Sequence, residues 1–488
     1  MAANFLESVG SNHPEYTKAH AQWQRCRVCA AGEDAVKAAG ETYLPKLTQQ
    51  LQPEYDAYKQ RASFVPATKR VLNALVGLVT RKPPVVTVAE SMEHLVVQFA
   101  STGENFEGFS RFIVSEVATT GRFGLLIDAA AQESAGMPKV YTSGYVAESI
   151  VNWRTETVDG ESFLKMVVLE ECSRDYSEDF LVGKEVRTRR VLYLDENNVY
   201  TVVTFRKDSK VAGTSNQGWS QEGDAIQPTI RGSTFTRIPF ILITPTASGA
   251  DMSMEQGIVL DIATVNLSHY RTSADLEHGR HFTALPTAWV AGFDPQTTEL
   301  YLGSSRAWVS SDVNAKAGFL EFSGAGLGAL ERGLQEKWDQ MVSLGSRVLE
   351  APKGGVEAGI TLQVRREAEM SVLSLLVQST ESAMQEALNL AIFWSGGDVT
   401  STAVEFNREF YEGAVDPALL GALGYAVTSG TLSFPAYFAK MQTSGLYQDG
   451  WTMENELSAM ALGIPGLTSV LTGVDVEPDP LPGELGGA

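Results

Sequence analysis

The stretch from Asp251 to Trp394 constrains the fold of this chain more than any other. DMSMEQGIVLDIATVNLSHYRTSADLEHGRH reads as one helix to about His281, and Pro286 ends it. A compact β-rich insert follows, with strand character in TAWVAG, SSRAWVSS and AGFLEFSG. Helix resumes at Gly326, with Leu330, Leu334, Trp338, Met341, Gly345 and Val348 at spacings of three and four. The glycine-rich APKGGVEAG then interrupts the pattern. A third helix runs from Thr361 to about Trp394, ~50 Å at 1.5 Å per residue. Two long helices around a small β module predict a hairpin that projects from the main body. An enzyme core rarely needs that shape, whereas a ring that lines up helices around an axis does.

The flanking sequence is mixed. Tyr16 to Leu51 is helical and polar, broken at Gly40 and Pro45. A helix is expected from about Pro66 to Thr80, with Val71, Leu72, Leu75, Val76 and Val79 on its apolar face, and VVTV follows Pro83-Pro84 as a strand. Next come a helix to Thr120, a turn at Gly121 and a strand over Phe123–Ile127. Residues 138–245 are rich in strands, with a hairpin turn at Asp195–Asn198 and an exposed loop at 213–224. After Gly396-Gly397, residues 400–410 read as a strand, two or three short helices follow, and GVDVEPDPLPGELGGA predicts a disordered tail. The fold class is α+β.

Composition narrows the function classes. Of 488 residues, 59 are acidic and 38 basic, a formal charge of −21, which disfavours ordinary adhesion to nucleic acid. A surface past which DNA must slide without sticking remains compatible with that charge. The N-terminus has neither a basic n-region nor an apolar h-region, so no signal peptide is expected. No apolar run approaches ~18–20 residues, so the chain is expected to be soluble and to cross no membrane.

The search for chemistry yields little. Lys353 precedes its glycines, follows a helix and lacks a Ser/Thr magnesium ligand, so the glycine-rich segment is not a phosphate-binding P-loop. No G-x-S-x-G, H-E-x-x-H, EF-hand loop or strand-borne G-x-G-x-x-G occurs. Cys26 and Cys29 make half of a zinc pattern with no second half, and helix packing explains them better. His278 and His281 stand a turn apart and could chelate a metal, with Asp275, Glu277 and His269 nearby. Arg280 opposes a cation there, and a helix C-terminus favours such residues without any ligand. Arg365 and Arg366 could touch phosphate, but Glu367 and Glu369 make a solvated face the simpler reading. The expectation is no catalytic residue, no cofactor and no metal, with a hydrolase built on His269, His278 and His281 as a distant alternative.

Several motifs in order resemble one family. Trp23, Gly32, Val36-Lys37, Gly40 and Tyr43-Leu44-Pro45 match a W-x8-G-x3-VK-x2-G-x2-YLP pattern. YDAYKQRASFVPATKRVLNALVGLVTRKPP and IPFILITP, followed by residues 260–292, resemble its next signatures. The chain thus resembles tailed-bacteriophage portal proteins, of the subgroup catalogued as a phage domain of unknown function. The resemblance implies an N-terminal helical segment (1–59), an α/β wing (60–250), a first stem helix (251–281) and a small β-rich clip (282–325). A second stem helix (326–349), a tunnel loop (350–360), a long wing helix with returning strand (361–411), a helical crown-like region (412–470) and the acidic tail (471–488) complete it. It also implies a homododecameric ring at a capsid vertex of the virion, assembled in the host cytoplasm. Double-stranded DNA would pass through it, and terminase large subunit, head-tail adaptor, major capsid and scaffold proteins would be its partners, with no membrane. The implied channel residues are Lys353, Gly354, Gly355, Glu357, Gly359, Arg365 and Arg366. A head-to-tail connector or minor capsid protein outside the channel is the alternative.

Overall fold

In the computed structural model the residues described are 5, 8–130, 140–177, 180–207, 218–230, 232–250, 252–284, 287–293, 308–310, 312–320, 324, 326–345, 359–408, 410, 417–443, 447 and 451–463. The chain divides into two compact units, Met1–Arg408 and Glu409–Ala488. The first mixes helix and sheet and the second is helical, an α+β architecture.

The first unit opens with α1 (Pro14–Ala31). Pro14 suits the first turn because its missing N–H has no intrahelical partner to lose, and His13 Nδ1 accepts from Glu15 N at 3.2 Å. Tyr16, Trp23, Cys26 and Cys29 recur at helical spacing and form its buried face. Next come α2 (Glu33–Ala38), α3 (Gln52–Arg61) and α4 (Ala67–Val79), which buries Val71, Leu72 and Val79. β1 (Val85–Thr87) and α5 (His94–Val97) lead into α6 (Phe106–Thr120). Asn105 caps α6 by accepting from Gly108 N at 2.8 Å, and Gly121 ends it in the left-handed region at φ 81°.

Two antiparallel sheets follow. β2 (Phe123–Ala129) and β3 (Val140–Val146) belong to a four-stranded sheet. β4 (Ile150–Val158), β5 (Glu161–Asp175), β6 (Lys184–Leu194), β7 (Tyr200–Lys207) and β8 (Trp219–Ile226) form a five-stranded meander in chain order. Its β6–β7 turn is held by Asp195 Oδ1, which accepts from the N–H groups of Asn197 and Val199 at 2.8 Å, with Asn198 at φ 57°. After the small ladder of β9 (Thr229–Ile230) and β10 (Ser233–Thr234), β11 (Phe240–Ile243) and β12 (Ser248–Gly249) complete the first sheet in the order β12-β11-β2-β3.

The chain continues through α7 (Leu260–Ala284), β13 (Thr287–Ala291), β14 (Lys316–Leu320), α8 (Leu327–Gly345), α9 (Gly359–Ser395) and β15 (Ala403–Glu405). α9 packs on the four-stranded sheet and on α6, burying Leu373, Leu376, Val377, Met384, Leu388 and Ile392. Burying six such side chains contributes on the order of 10 kcal/mol at ~1.5–3 kcal/mol each. β15 then returns to pair with β1, Val86 opposite Val404. The second unit contains α10 (Pro417–Thr428), α11 (Phe434–Thr443) and α12 (Met453–Gly463). In it, Tyr447 OH and Trp451 Nε1 donate to Glu456 at 3.1 and 2.9 Å.

One buried cation stands apart. The Arg122 side chain lies over the Trp153 ring with Cζ 4.4 Å from its centre, and His13 stacks on the same residue at 4.0 Å. Arg122 is fully buried, and its Nε and Nη2 have no hydrogen-bond partner among the described residues. Burial lowers its pKa to about 10.

Four expectations need correction. α7 begins at Leu260, not Asp251, because the segment before it is committed elsewhere: Glu255 accepts from the Thr244 and Thr246 hydroxyls, and Gly257 packs against the Thr119 backbone. Residues 219–224 of the expected loop fall within β8; an edge strand needs only a neighbour's backbone, so Ser220–Ile226 stay exposed while Trp219 is buried. In the expected middle strand of the insert, residues 308–310 are described and lie in no strand. The strand expected over 400–410 shrinks to Ala403–Glu405. The tail from 464 onward lies outside the described residues.

Candidate functional site: a helix pair, its β insert and a third helix

α7, the first helix of the expected projecting hairpin, is anchored to the body over most of its length. Leu260, Ile262, Ala263, Leu267, Tyr270, Ala274 and Leu276 are buried, and α7 packs against α1, α3 and α4. Polar groups on the same face fix the register. Asn266 Oδ1 accepts from Thr68 N at 3.2 Å and Thr68 Oγ1 at 3.0 Å, while Asn266 Nδ2 donates to Val65 O at 2.9 Å. One heptad on, Ser273 Oγ accepts from Ser63 N at 3.2 Å. Tyr58 OH donates to Asp275 at 2.6 Å, and burial with that carboxylate raises the Tyr58 pKa. Sequence reading missed these anchors, although two polar side chains seven residues apart on an apolar helix face were a legible sign.

α8 runs antiparallel to α7. Near the open end Arg280 bridges Glu277 at 2.9 Å and Glu331 at 2.8 Å, and further in Lys337 Nζ donates to Thr272 Oγ1. Leu327 packs over Gly279, where a Cβ would lie 2.7 Å from Leu327 Cδ2. A groove of about 550 Å3 beside them is lined by His269, Leu276, Arg280, Glu331, Leu334 and Trp338. Met341, on the predicted stripe, is fully buried.

The histidines do not converge. His269 is buried with Nδ1 unpartnered among the described residues; burial and then Lys337 lower its pKa. His278 lies 3.4 Å from Arg61 Nη1 and faces the Tyr58 ring, and burial followed by Arg61 and His281 lowers its pKa too. Among the described residues no group of three or more His, Cys, Asp or Glu could hold a metal. Cys26 and Cys29 are buried in the face of α1 that meets α7, Cys29 Sγ lies 3.7 Å from Ala263 O, and burial pushes both thiols up to about 12.

The β insert contributes the ladder β13–β14, with Thr287 opposite Leu320 and Ala291 opposite Lys316. Trp289 covers Gly318, where a Cβ would lie 3.0 Å from the indole nitrogen. Trp289, Val309, Val313 and Phe319 are all exposed, an apolar concentration uncommon on a free surface.

Of the expected channel residues, Lys353, Gly354, Gly355 and Glu357 lie outside the described residues. Gly359 is the first residue of α9, and Arg365 and Arg366 fall within its first three turns. No helix among the described residues is long and apolar enough to cross a membrane.

Residues 259–395 match a family described as a domain of unknown function, DUF4055. The match runs from the residue before α7 to the last residue of α9, so it coincides with the helix pair, its insert and the third helix. No curated protein matches the chain. Among solved structures, the chain is similar to a chain from the virion of a native gene transfer agent particle, at 12% identity and TM-score 0.36 over 82% of this chain and 96% of that one. It is also similar to chains from the neck of the native particle, computed with C12 symmetry (11%, TM-score 0.35, 82% and 90%), and of the empty particle, computed with C6 symmetry (10%, TM-score 0.35, 85% and 98%). TM-scores this low do not set residues of this chain against residues of those.

Proposed function

We propose that this chain is a structural subunit of a tailed-phage or phage-like particle, and specifically its portal: a ring at the capsid vertex through which double-stranded DNA enters and leaves. The carrying observation is the order helix, β insert, antiparallel helix, long helix and returning strand, seated on a mixed body. The family match over the same segment and the ordered sequence motifs support the reading. So does the charge of −21, which suits a conduit that must not grip its cargo.

In this reading the chain performs no catalysis, and a separate ATPase, the terminase large subunit, drives the DNA. The exposed apolar insert meets the head-tail adaptor or the terminase, and the outer body meets capsid and scaffold proteins.

Electron microscopy of the purified full chain tests this. Closed rings of about a dozen subunits with an axial hole are expected. A monomer or an open filament overturns the proposal, and particles in which the chain decorates the neck without surrounding the axis favour the connector or minor capsid alternative.

A further inference from the structure

α8 is lightly held. Of its 19 residues, all described, Met341 and Gly345 alone are buried, and both lie in its second half, toward the start of α7. At its other end Arg280 bridges Glu277 and Glu331, and Leu327 packs over Gly279. Those ion pairs are solvent-exposed, and pairs of that kind add little. A small penalty inside the seam is therefore enough to decide whether the second half of α8 stays down.

His269 stands where such a penalty arises. It is buried on α7 and lines the groove beside the pair together with Leu334 and Trp338 of α8. Its Nδ1 is shut off from solvent and has no partner among the described residues. In an uncharged ring Nδ1 can be the bare nitrogen. An imidazolium carries N–H on both nitrogens, so it would bury an unanswered donor as well as a charge.

The charges around it do not answer that donor. Lys337 of α8 acts on the ring with the same sign, its Nζ donating to Thr272 Oγ1 one turn along α7. Glu277 and Glu331 line the same groove, but Arg280 holds both, and Glu277 lies eight residues on, ~12 Å at 1.5 Å per residue. Asp275 accepts from Tyr58 of α3, and Arg61 of α3 faces His278 instead. Arg25 of α1 donates to Thr264, while Lys69 and Arg70 of α4, Arg271 of α7, and Glu336 and Asp339 of α8 are exposed. Burial and then Lys337 hold the His269 pKa below 6.5, and no carboxylate among the described residues opposes them.

We propose that the inner end of the α7–α8 pair is a proton-operated clasp: a proton gained by His269, opposite Lys337, releases the half of α8 that carries Met341 and Gly345. Above pH 6.5 the ring is uncharged whether the seam is open or closed, and the clasp stays shut. As pH falls through 6.5, an open seam, where water reaches the ring, takes the proton before a closed one does, so acid opens it. The far end stays joined through Arg280 and Leu327, which makes the β insert the hinge. The clasp works within one chain and does not depend on the ring reading.

The test uses the full chain with Cys172→Ser and nitroxide labels on Asp261→Cys and Leu344→Cys, both exposed positions, one at the start of α7 and one near the end of α8. Cys26 and Cys29 are buried and escape the label. Pulsed dipolar spectroscopy, with labelled chains diluted into unlabelled ones, reads the separation within a chain. One separation is expected at pH 7.5. At pH 5 most chains should show a second, longer by ~10 Å, about one helix-to-helix spacing. H269Q and H269N should keep the pH 7.5 separation at pH 5, whereas H278Q, on the side that faces α3, should open as the unmodified chain does. An unchanged separation in the unmodified chain at pH 5 overturns the clasp. So does opening that persists in both His269 variants or vanishes in H278Q. Loss of helical circular dichroism alongside the opening makes it general acid unfolding and overturns the clasp too. Because the distance is read within one chain, failure of the ring reading leaves each of these outcomes readable.

Discussion

Gly257 and Thr119 meet backbone to backbone: a Cβ at 257 would stand 2.1 Å from the Thr119 carbonyl oxygen. This contact locks the lead into α7 against the end of α6.

Gly257→Ala should therefore destabilise the chain by about 3 kcal/mol, the upper part of the usual range for overpacking, because neither backbone can yield. Gly333→Ala, in α8 with open space around the site, should instead stabilise it by about 0.5–1 kcal/mol through helix propensity. Urea denaturation of both variants checks the pair. Equal effects would show that the α6–α7 junction is loose.

Legibility followed how each element declares itself. α4 and α6 were readable because apolar periodicity and end punctuation agree, as Asn105 and Gly121 do around α6. β8 was hidden because Ser-Gln-Glu-Gly-Asp has no alternation, and an edge strand needs none. The start of α7 was misplaced because MSMEQG has acceptable helix propensity, which long-range contacts of Glu255 and Gly257 override. At the candidate site the helix order was visible and so was the polar pair Asn266 and Ser273 on an apolar face, but not that their partners lie two hundred positions earlier.

The cysteines should separate by burial. Cys172 is exposed, whereas Cys26 and Cys29 are buried with thiols pushed up to about 12. Iodoacetamide at pH 8 should modify Cys172 alone in the folded chain and all three in urea, read by peptide mass spectrometry. Native labelling of Cys26 or Cys29 would show that the α1–α7 face opens readily.

Acid should weaken the fold partly through histidine. His269 and His278 both have folded pKa values below 6.5, each chiefly through burial. Above that value neither state carries the proton. As pH falls through 6.5 the unfolded chain takes it up while the folded chain resists, so stability is lost toward acid. H269Q/H278Q should lose less stability between pH 7 and pH 5 than the unmodified chain. Parallel losses in urea titrations would remove both histidines from the effect.

Arg122 should be dispensable to folding. Among the described residues no carboxylate pairs with its buried guanidinium: Nη1 donates to Met254 Sδ at 2.6 Å, and Nε and Nη2 have no partner. Arg122→Met keeps length and apolar contact with Trp153 while removing the buried charge, and should stabilise the chain by roughly 1–3 kcal/mol. A large fall in melting temperature would show that Arg122 has a partner in solution.

The pairing of Val86 with Val404 also sets a timetable for synthesis. β1 leaves the ribosome early, yet its partner β15 is made only after more than three hundred further residues. At ~5–20 residues per second that interval is roughly 15–60 s. Throughout it, Val85, 63% exposed even in the finished fold, belongs to an unpaired strand edge. Nascent chains stopped before Ala403 should thus be the aggregation-prone species, and the last step of folding the first unit waits on its final few residues.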